Sequence, residues 1–138
     1  MTVLQADYPA AELKDLPALR NFIQEAGERL GAAPDPLSEI IVAANEALSN
    51  ILGHGYGEQP GPLTIQVAVV DQRLELRLHD RGPAFDPTAA SLPDPTLPLD
   101  QRAVGGLGVA MIRAFADEIH YDRGASGNVL TLVKHKAC

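Results

Sequence analysis

"PLTIQVAVVDQRLELRLHD", residues 62–80, excludes more folds than any other part of the chain. Leu63, Ile65, Val67 and Val69 fall on alternate positions, and Leu74, Leu76 and Leu78 alternate with Glu75, Arg77 and His79. Alternation of this length reads as two β-strands, each with one buried and one wet face. Asp71–Gln72, between them, predicts a tight hairpin turn. A sheet covered on one side needs a layer of helices, and the upstream sequence offers two.

The first helix is expected over "DLPALRNFIQEAGERLG", with Leu16, Leu19, Phe22, Ile23, Ala26 and Leu30 at helical spacing. Asp15 is placed to cap it, Pro17 is tolerated in its first turn, and Gly31 is a stop. The second is expected over "PDPLSEIIVAANEALSNILGHG", with Asp35 as cap, Pro36 at the first helical position and Gly53 and Gly55 ending it. Residues 2–7 form a short strand ahead of them. Residues 82–104 hold five prolines and no periodicity. A loop that long is a functional lid or a disordered segment. A third helix is expected from about Leu107, and "EIHYDR" and "NVLTLVKH" form a closing hairpin across "GASG". The fold class is therefore α+β: a two-layer α/β sandwich whose mixed, mostly antiparallel sheet is covered by about three helices.

A length of 138 residues suits one domain with one core. No apolar run reaches the 18 or so residues of a membrane span, and the start lacks the pattern of a secretory signal. Cys138 is the lone cysteine, so no intramolecular disulfide is expected, and a cytoplasmic setting fits. The net charge of −7 argues against non-specific nucleic-acid binding, which rests on surplus Lys and Arg. A polyanionic ligand would need local devices: backbone amides, a helix terminus or a metal ion.

Three places carry chemistry-bearing residues. In "IIVAANEALSNILGHGY", residues 40–56, Glu46, Asn50 and His54 stand four apart. On an α-helix that offsets them by only about 40° per step, so they form one stripe beside the apolar row of Ile40, Ile41, Ala44, Ala47, Leu48 and Ile51. The stripe is either a solvated face or a carboxylate and amide that hold a hard cation and orient a reacting group. In "LELRLHDRGPAFDP", period two carries Asp80 onto the inward face after Leu74, Leu76 and Leu78. Asp80 either caps the turn or, with Gly82 admitting a close backbone approach, accepts a hydrogen bond from the amino group of a base. In "GGLG", residues 105–108, glycines precede a helix. They mark a hinge, or they free the first N–H groups for phosphate oxygens, where the helix dipole adds ~0.3–1 kcal/mol for an anion.

The order of these segments resembles the GHKL ATPase superfamily of gyrase, Hsp90-type chaperones, histidine kinases and MutL-type repair proteins, which shares the Bergerat-type ATP-binding fold. "EALSNILGHGY", "LHDRGPAFDP", "GGLGVAMIRAFADEIHY" and "GNVLTLVKH" are most similar to the small anti-sigma-factor serine kinases of the RsbW type. The resemblance implies ATP and Mg²⁺ as cofactors, with Glu46 as general base and Asn50 as the metal-holding residue. It implies a nucleotide pocket built from Asn50, His54, Asp80, Gly82, Ala84, Arg102, Gly105, Gly106, Leu107 and Gly108, under a lid at about residues 86–104. Its partners are a serine-bearing anti-sigma-factor antagonist (a STAS-domain protein) as substrate and a sigma factor as alternative partner, with pairing as a homodimer through residues 2–30. Ala84 stands where the family often has a second glycine after Asp-x-Gly. Arg102 is the one basic residue of the lid, and Arg102 and Arg81 are the cations available to a transferred phosphoryl group. A non-catalytic ATP-binding module that sequesters partners is the alternative function.

Overall fold

The computed structural model describes residues 2–88 and 106–138. Strand β1 (Val3–Ala11) leads through a 3₁₀ turn (Leu13–Asp15) into α1 (Leu16–Arg29) and α2 (Pro34–Ser49). A π-helical turn (Asn50–Gly55) precedes β2 (Gly61–Val70) and β3 (Arg73–Asp80). Then come α3 (Gly106–Phe115), β4 (Glu118–Gly124) and β5 (Gly127–Lys134). The five strands form one sheet in the order β1-β2-β3-β5-β4. Every pairing in it is antiparallel, so the expectation of a mixed sheet is corrected. β2 follows β1 after two helices and β3 follows β2 by a hairpin, whereas β4 runs parallel to β3 on the far side of β5, which returns between them.

The alternation read from the sequence is the alternation of burial. Leu63, Ile65, Val67, Leu74, Leu76 and Leu78 are buried on one face and are joined there by Leu130 and Leu132 of β5. The helices cover that face with Leu19, Ile23, Leu37, Ile40, Leu48 and Ile112. Each such side chain fully buried contributes about 1.5–3 kcal/mol of transfer free energy. The β2–β3 turn is Asp71–Gln72, as expected, and both residues take positive φ, 50° and 66°. That is the twist-matched geometry of a two-residue hairpin loop. The backbone N–H of Ala137 donates to the Gln72 carbonyl at 2.7 Å and ties the chain's end to the turn.

Several boundaries differ from the sequence reading. β1 runs to Ala11 instead of stopping near residue 7, and its register slips between Tyr8 and Ala11. Pro9 lies in that slip; it cannot donate to a ladder, and on an edge strand this is tolerated. Asp15 sits at the N-cap of α1 but makes no cap bond there; its carboxylate accepts from the Glu12 N–H at 2.9 Å and closes the preceding turn. Asp35 is not the cap of α2, since the helix begins one residue earlier, at Pro34. It remains in the first turn, where a carboxylate complements the dipole. Gly31 does end α1: with φ at 88°, its N–H bonds the Glu28 carbonyl while that of Ala32 bonds Gly27.

At the far end of the sheet, Glu118 accepts from His135 and His120 and pairs with Arg73 at 3.1 Å. The bonds from His135 and His120, more than the charge of Arg73, pull its carboxyl down to about 2. A lowered folded pKa gives stability that is present above the ordinary carboxylate range and lost as pH falls from about 4.5 toward 2. Melting curves of the wild type and of Glu118→Gln are therefore expected to differ at neutral pH and to converge on acidification through that window. A gap that has not shrunk by pH 2.5 would contradict this assignment.

Candidate functional site

A cavity of about 240 Å³ opens where α2 and the π turn meet the end of β3, the start of the following loop, α3 and the β4–β5 hairpin. Its walls are mostly apolar, with Ala47, Ile51, Phe85 and Ile112 among them. Asn50, His54, Asp80 and Asn128 are the side chains that bring strong polar groups to it. Apolar walls with a few convergent polar groups are what a small-molecule site requires.

Asp80 is the last residue of β3 and is buried, 5% exposed. Its Oδ1 accepts from the Gly82 N–H at 2.8 Å and from Asn128 Nδ2 at 3.0 Å. Oδ2 makes no hydrogen bond among the described residues, so the cavity receives an acceptor without a partner. A carboxylate oxygen only accepts, so a ligand meeting it there must bring a donor. The strand end is held by Tyr56, whose hydroxyl donates to the Pro62 carbonyl at 2.5 Å and accepts from the Arg81 N–H at 2.8 Å. Burial raises the phenol's pKa, which keeps that proton available for donation.

Glu46 and Asn50 are half-buried and face the start of α3, and Asn50 also lines the cavity. A Cβ built on Gly108 would lie 3.0 Å from Glu46 Oε2 and 3.8 Å from Asn50 Nδ2, so α3 starts directly against both side chains. Any larger residue at 108 would push the Glu46 carboxylate aside. Asn50 Nδ2 is buried and has no hydrogen-bond partner among the described residues. Leaving it so costs about 1–3 kcal/mol, which a ligand oxygen or an ion-bound water would recover.

His54 departs from the expected stripe. The helix does not continue in α geometry past Ser49; it widens, and the Tyr56 N–H reaches back five residues to the Ile51 carbonyl at 2.8 Å. Gly53 and Gly55 weaken the α geometry there, and such wide turns favour functional sites. His54 consequently ends exposed at the cavity mouth while Asn50 stays inside. Ala84 lines the cavity, and Gly82 forms the turn beside Asp80. Gly106 opens α3, followed by Leu107 and Gly108. Arg102, Gly105 and all but the first residues of the expected lid lie outside the described residues. The start of that loop is fastened by Arg113 of α3, which donates to the carbonyls of Pro87, at 2.9 Å, and Thr88, at 3.0 Å.

Sequence reasoning missed Asn128, Tyr121, Arg123 and Tyr56. Asn128 was open to the same period-two argument as Asp80, since Leu130 and Leu132 carry the inward face of β5 back onto it. Tyr56 closed the quoted helical stretch, but no spacing rule gives it a partner at Pro62.

Residues 10–134 match the family described as the histidine kinase-like ATPase domain. The chain belongs to this family. Among characterised relatives, it is 38% identical over 101 residues to the serine/threonine-protein kinase BtrW of Bordetella bronchiseptica, covering 71% of this chain and 70% of that one. It is 30% identical over 112 residues to the serine-protein kinase RsbW of Bacillus cereus, covering 77% and 70%. The RsbU and RsbW domains of Rv1364c from Mycobacterium tuberculosis superpose with a TM-score of 0.68 at 20% identity, over 98% of this chain and 32% of that longer one. The catalytic domain of the histidine kinase ThkA superposes with a TM-score of 0.53 at 14% identity, over 99% and 98%. The last two likenesses speak to the fold, which is that of the histidine kinase-like ATPases. The expected GHKL-type, RsbW-like resemblance is borne out, and with it the two-layer α+β architecture.

A histidine kinase-like ATPase domain uses ATP. Asp80 and Asn50 both bring polar groups to the cavity, and the start of α3 at Gly108 packs against Asn50 and Glu46. No cluster of three or more His, Cys, Asp or Glu gathers among the described residues. A hard cation in this site would therefore depend on Asn50 and on oxygens brought by the ligand, a pattern suited to Mg²⁺.

Proposed function

We propose that the protein is an ATP-dependent serine protein kinase of the partner-switching kind, which phosphorylates a serine of a small anti-sigma-factor antagonist and otherwise sequesters a sigma factor. The observation that carries it is the approach of α3 at Gly108 to Glu46 Oε2 and Asn50 Nδ2, beside a cavity that Asn50 and Asp80 both line. The names of BtrW and RsbW as serine kinases support the substrate class. In this reading the adenine amino group donates to Asp80, with Gly82 and Ala84 giving the ring room. The amides of Gly106, Leu107 and Gly108 meet phosphate oxygens at the positive end of α3. His54 stands at the mouth, and Gly105 and Arg102 belong to the closing lid. Asn50 holds Mg²⁺, which when bound supplies charge neutralisation across the phosphates.

Glu46 accepts the proton of the attacking serine hydroxyl as its oxygen bonds to the γ-phosphorus and the bond to the β-phosphate oxygen breaks, releasing ADP. The antagonist serine would enter beside Glu46, and pairing as a homodimer would use residues 2–30. No helix among the described residues is long and apolar enough to cross a membrane; a cytoplasmic setting completes the proposal.

One observation favours the rival reading of a non-catalytic ATP-dependent sequestering module. Among the described residues that line the cavity there is no lysine or arginine, whereas phosphoryl transfer leans on cations around the moving group. Incubation with γ-labelled ATP and a candidate antagonist separates the two: label on the antagonist supports the kinase, and its absence after long incubation supports sequestration.

Asp80→Asn tests the nucleotide end. It replaces the acceptor and weakens ATP binding by about 10–150-fold, the worth of a hydrogen bond to a charged group. The stabilisation that millimolar Mg–ATP gives the melting temperature should shrink accordingly. An undiminished shift in Asp80→Asn would remove Asp80 from the site.

A further inference from the structure

We propose that Asn128 is a positioning residue that sets Asp80 to recognise the purine amino group. The proposal rests on the reading of Asp80 as the base acceptor.

Asn128 is 4% exposed and spends its whole amide on the site's frame. Its Nδ2 donates to Asp80 Oδ1 at 3.0 Å, to the Gly82 carbonyl at 3.1 Å and to the Pro83 carbonyl at 3.0 Å. Its Oδ1 accepts from the Tyr121 hydroxyl and from Arg123 Nη1, the latter at 2.9 Å. A guanidinium can only donate, so the atom facing it must be the oxygen, and the amide's orientation follows. Arg123 Nη1 also donates to the Gly82 carbonyl at 2.8 Å, closing the network on the turn itself.

The consequence falls on Asp80. A carboxylate on a free χ2 samples many orientations, and each costs part of the directional bond it can make. Here Oδ1 is pinned by Gly82 N and Asn128 Nδ2, so Oδ2 is held toward the cavity. The same amide fixes the carbonyls of residues 82 and 83, and Pro83 lines the cavity beside it. Preorganisation of this kind raises selectivity for the group that meets the acceptor, here the exocyclic amine.

The test compares ATP with purine riboside triphosphate, which lacks the 6-amino group, by equilibrium titration of the full chain. The wild type is expected to prefer ATP by about 10-fold or more. Asn128→Ala reduces that preference to less than about 3-fold. A general loosening of the fold would weaken both nucleotides by the same factor and leave the ratio alone. Tyr121→Phe removes one anchor of Asn128 Oδ1 and keeps the ring; it lowers the ratio in the same direction, and it decides the matter where Asn128→Ala fails to fold. A wild-type ratio retained in a folded Asn128→Ala, or in Tyr121→Phe when Asn128→Ala is unfolded, overturns the proposal while leaving Asp80 as the acceptor. A wild type that binds both nucleotides equally overturns the reading of Asp80 itself, and this inference with it.

Discussion

Glu46→Gln is expected to lose about 10²–10⁴-fold in phosphoryl transfer to the antagonist, the usual worth of a general base. Glutamine keeps the size and shape of the side chain, so the close packing against Gly108, where an added Cβ would lie 3.0 Å from Oε2, is preserved. What disappears is the capacity to take a proton from the serine hydroxyl. Binding of ATP depends on Asp80, Asn50 and the α3 terminus, so its affinity should stay within a few-fold of the wild type. Transfer of γ-label under single-turnover conditions, beside a nucleotide titration, measures both quantities. An unchanged transfer rate would take Glu46 out of the mechanism, and a parallel loss of binding would recast it as a binding residue.

The second large effect is on the fold beneath the site. Gly127 opens β5 with φ at 115°, and a Cβ added there would lie 2.1 Å from the Asp80 carbonyl oxygen and 3.0 Å from Arg81 Cα. Both atoms are backbone, so no side chain can swing away. The strand must shift or the β3–β5 ladder must open where Asp80 faces Asn128. Gly127→Ala combines a strained φ with that clash and is expected to cost about 3 kcal/mol or more. For a domain of this size the melting temperature falls by roughly 10 °C. Because the displaced atoms belong to Asp80 and its neighbour, ATP affinity should drop as well. A melting temperature within 2 °C of the wild type would show that the strands do not approach as described.

Much of this was legible in the sequence because it depends on local periodicity. The leucines of β3 carried Asp80 inward, and the turn at Asp71–Gln72 fell where the alternation broke. The spacing of Glu46 and Asn50 put both on one side of α2. What was not legible depends on contacts between distant segments. That Gly108 lies against Glu46 is a matter of how α3 returns across α2. Asn128 meets Asp80 only because β5 inserts between β3 and β4, and the strand order is not written in either strand alone. His54 leaves the expected stripe for a local reason, since the helix widens after Ser49 and residues past Asn50 leave the α register, yet it still lines the cavity. Lys134, buried against Glu39 at 2.5 Å, likewise pairs across 95 positions and links β5 to α2 with no motif to announce it.

The account turns on one arrangement: a purine at Asp80 and its phosphates at Asn50, Glu46 and the start of α3. A crystal structure of the chain with Mg²⁺ and a non-hydrolysable ATP analogue tests it most directly. It should show the 6-amino group within hydrogen-bond distance of Asp80 Oδ2 and the phosphates against the Gly106–Gly108 amides and the Asn50 side chain. A nucleotide bound elsewhere, or one lying in this cavity with its base turned away from Asp80, would contradict it.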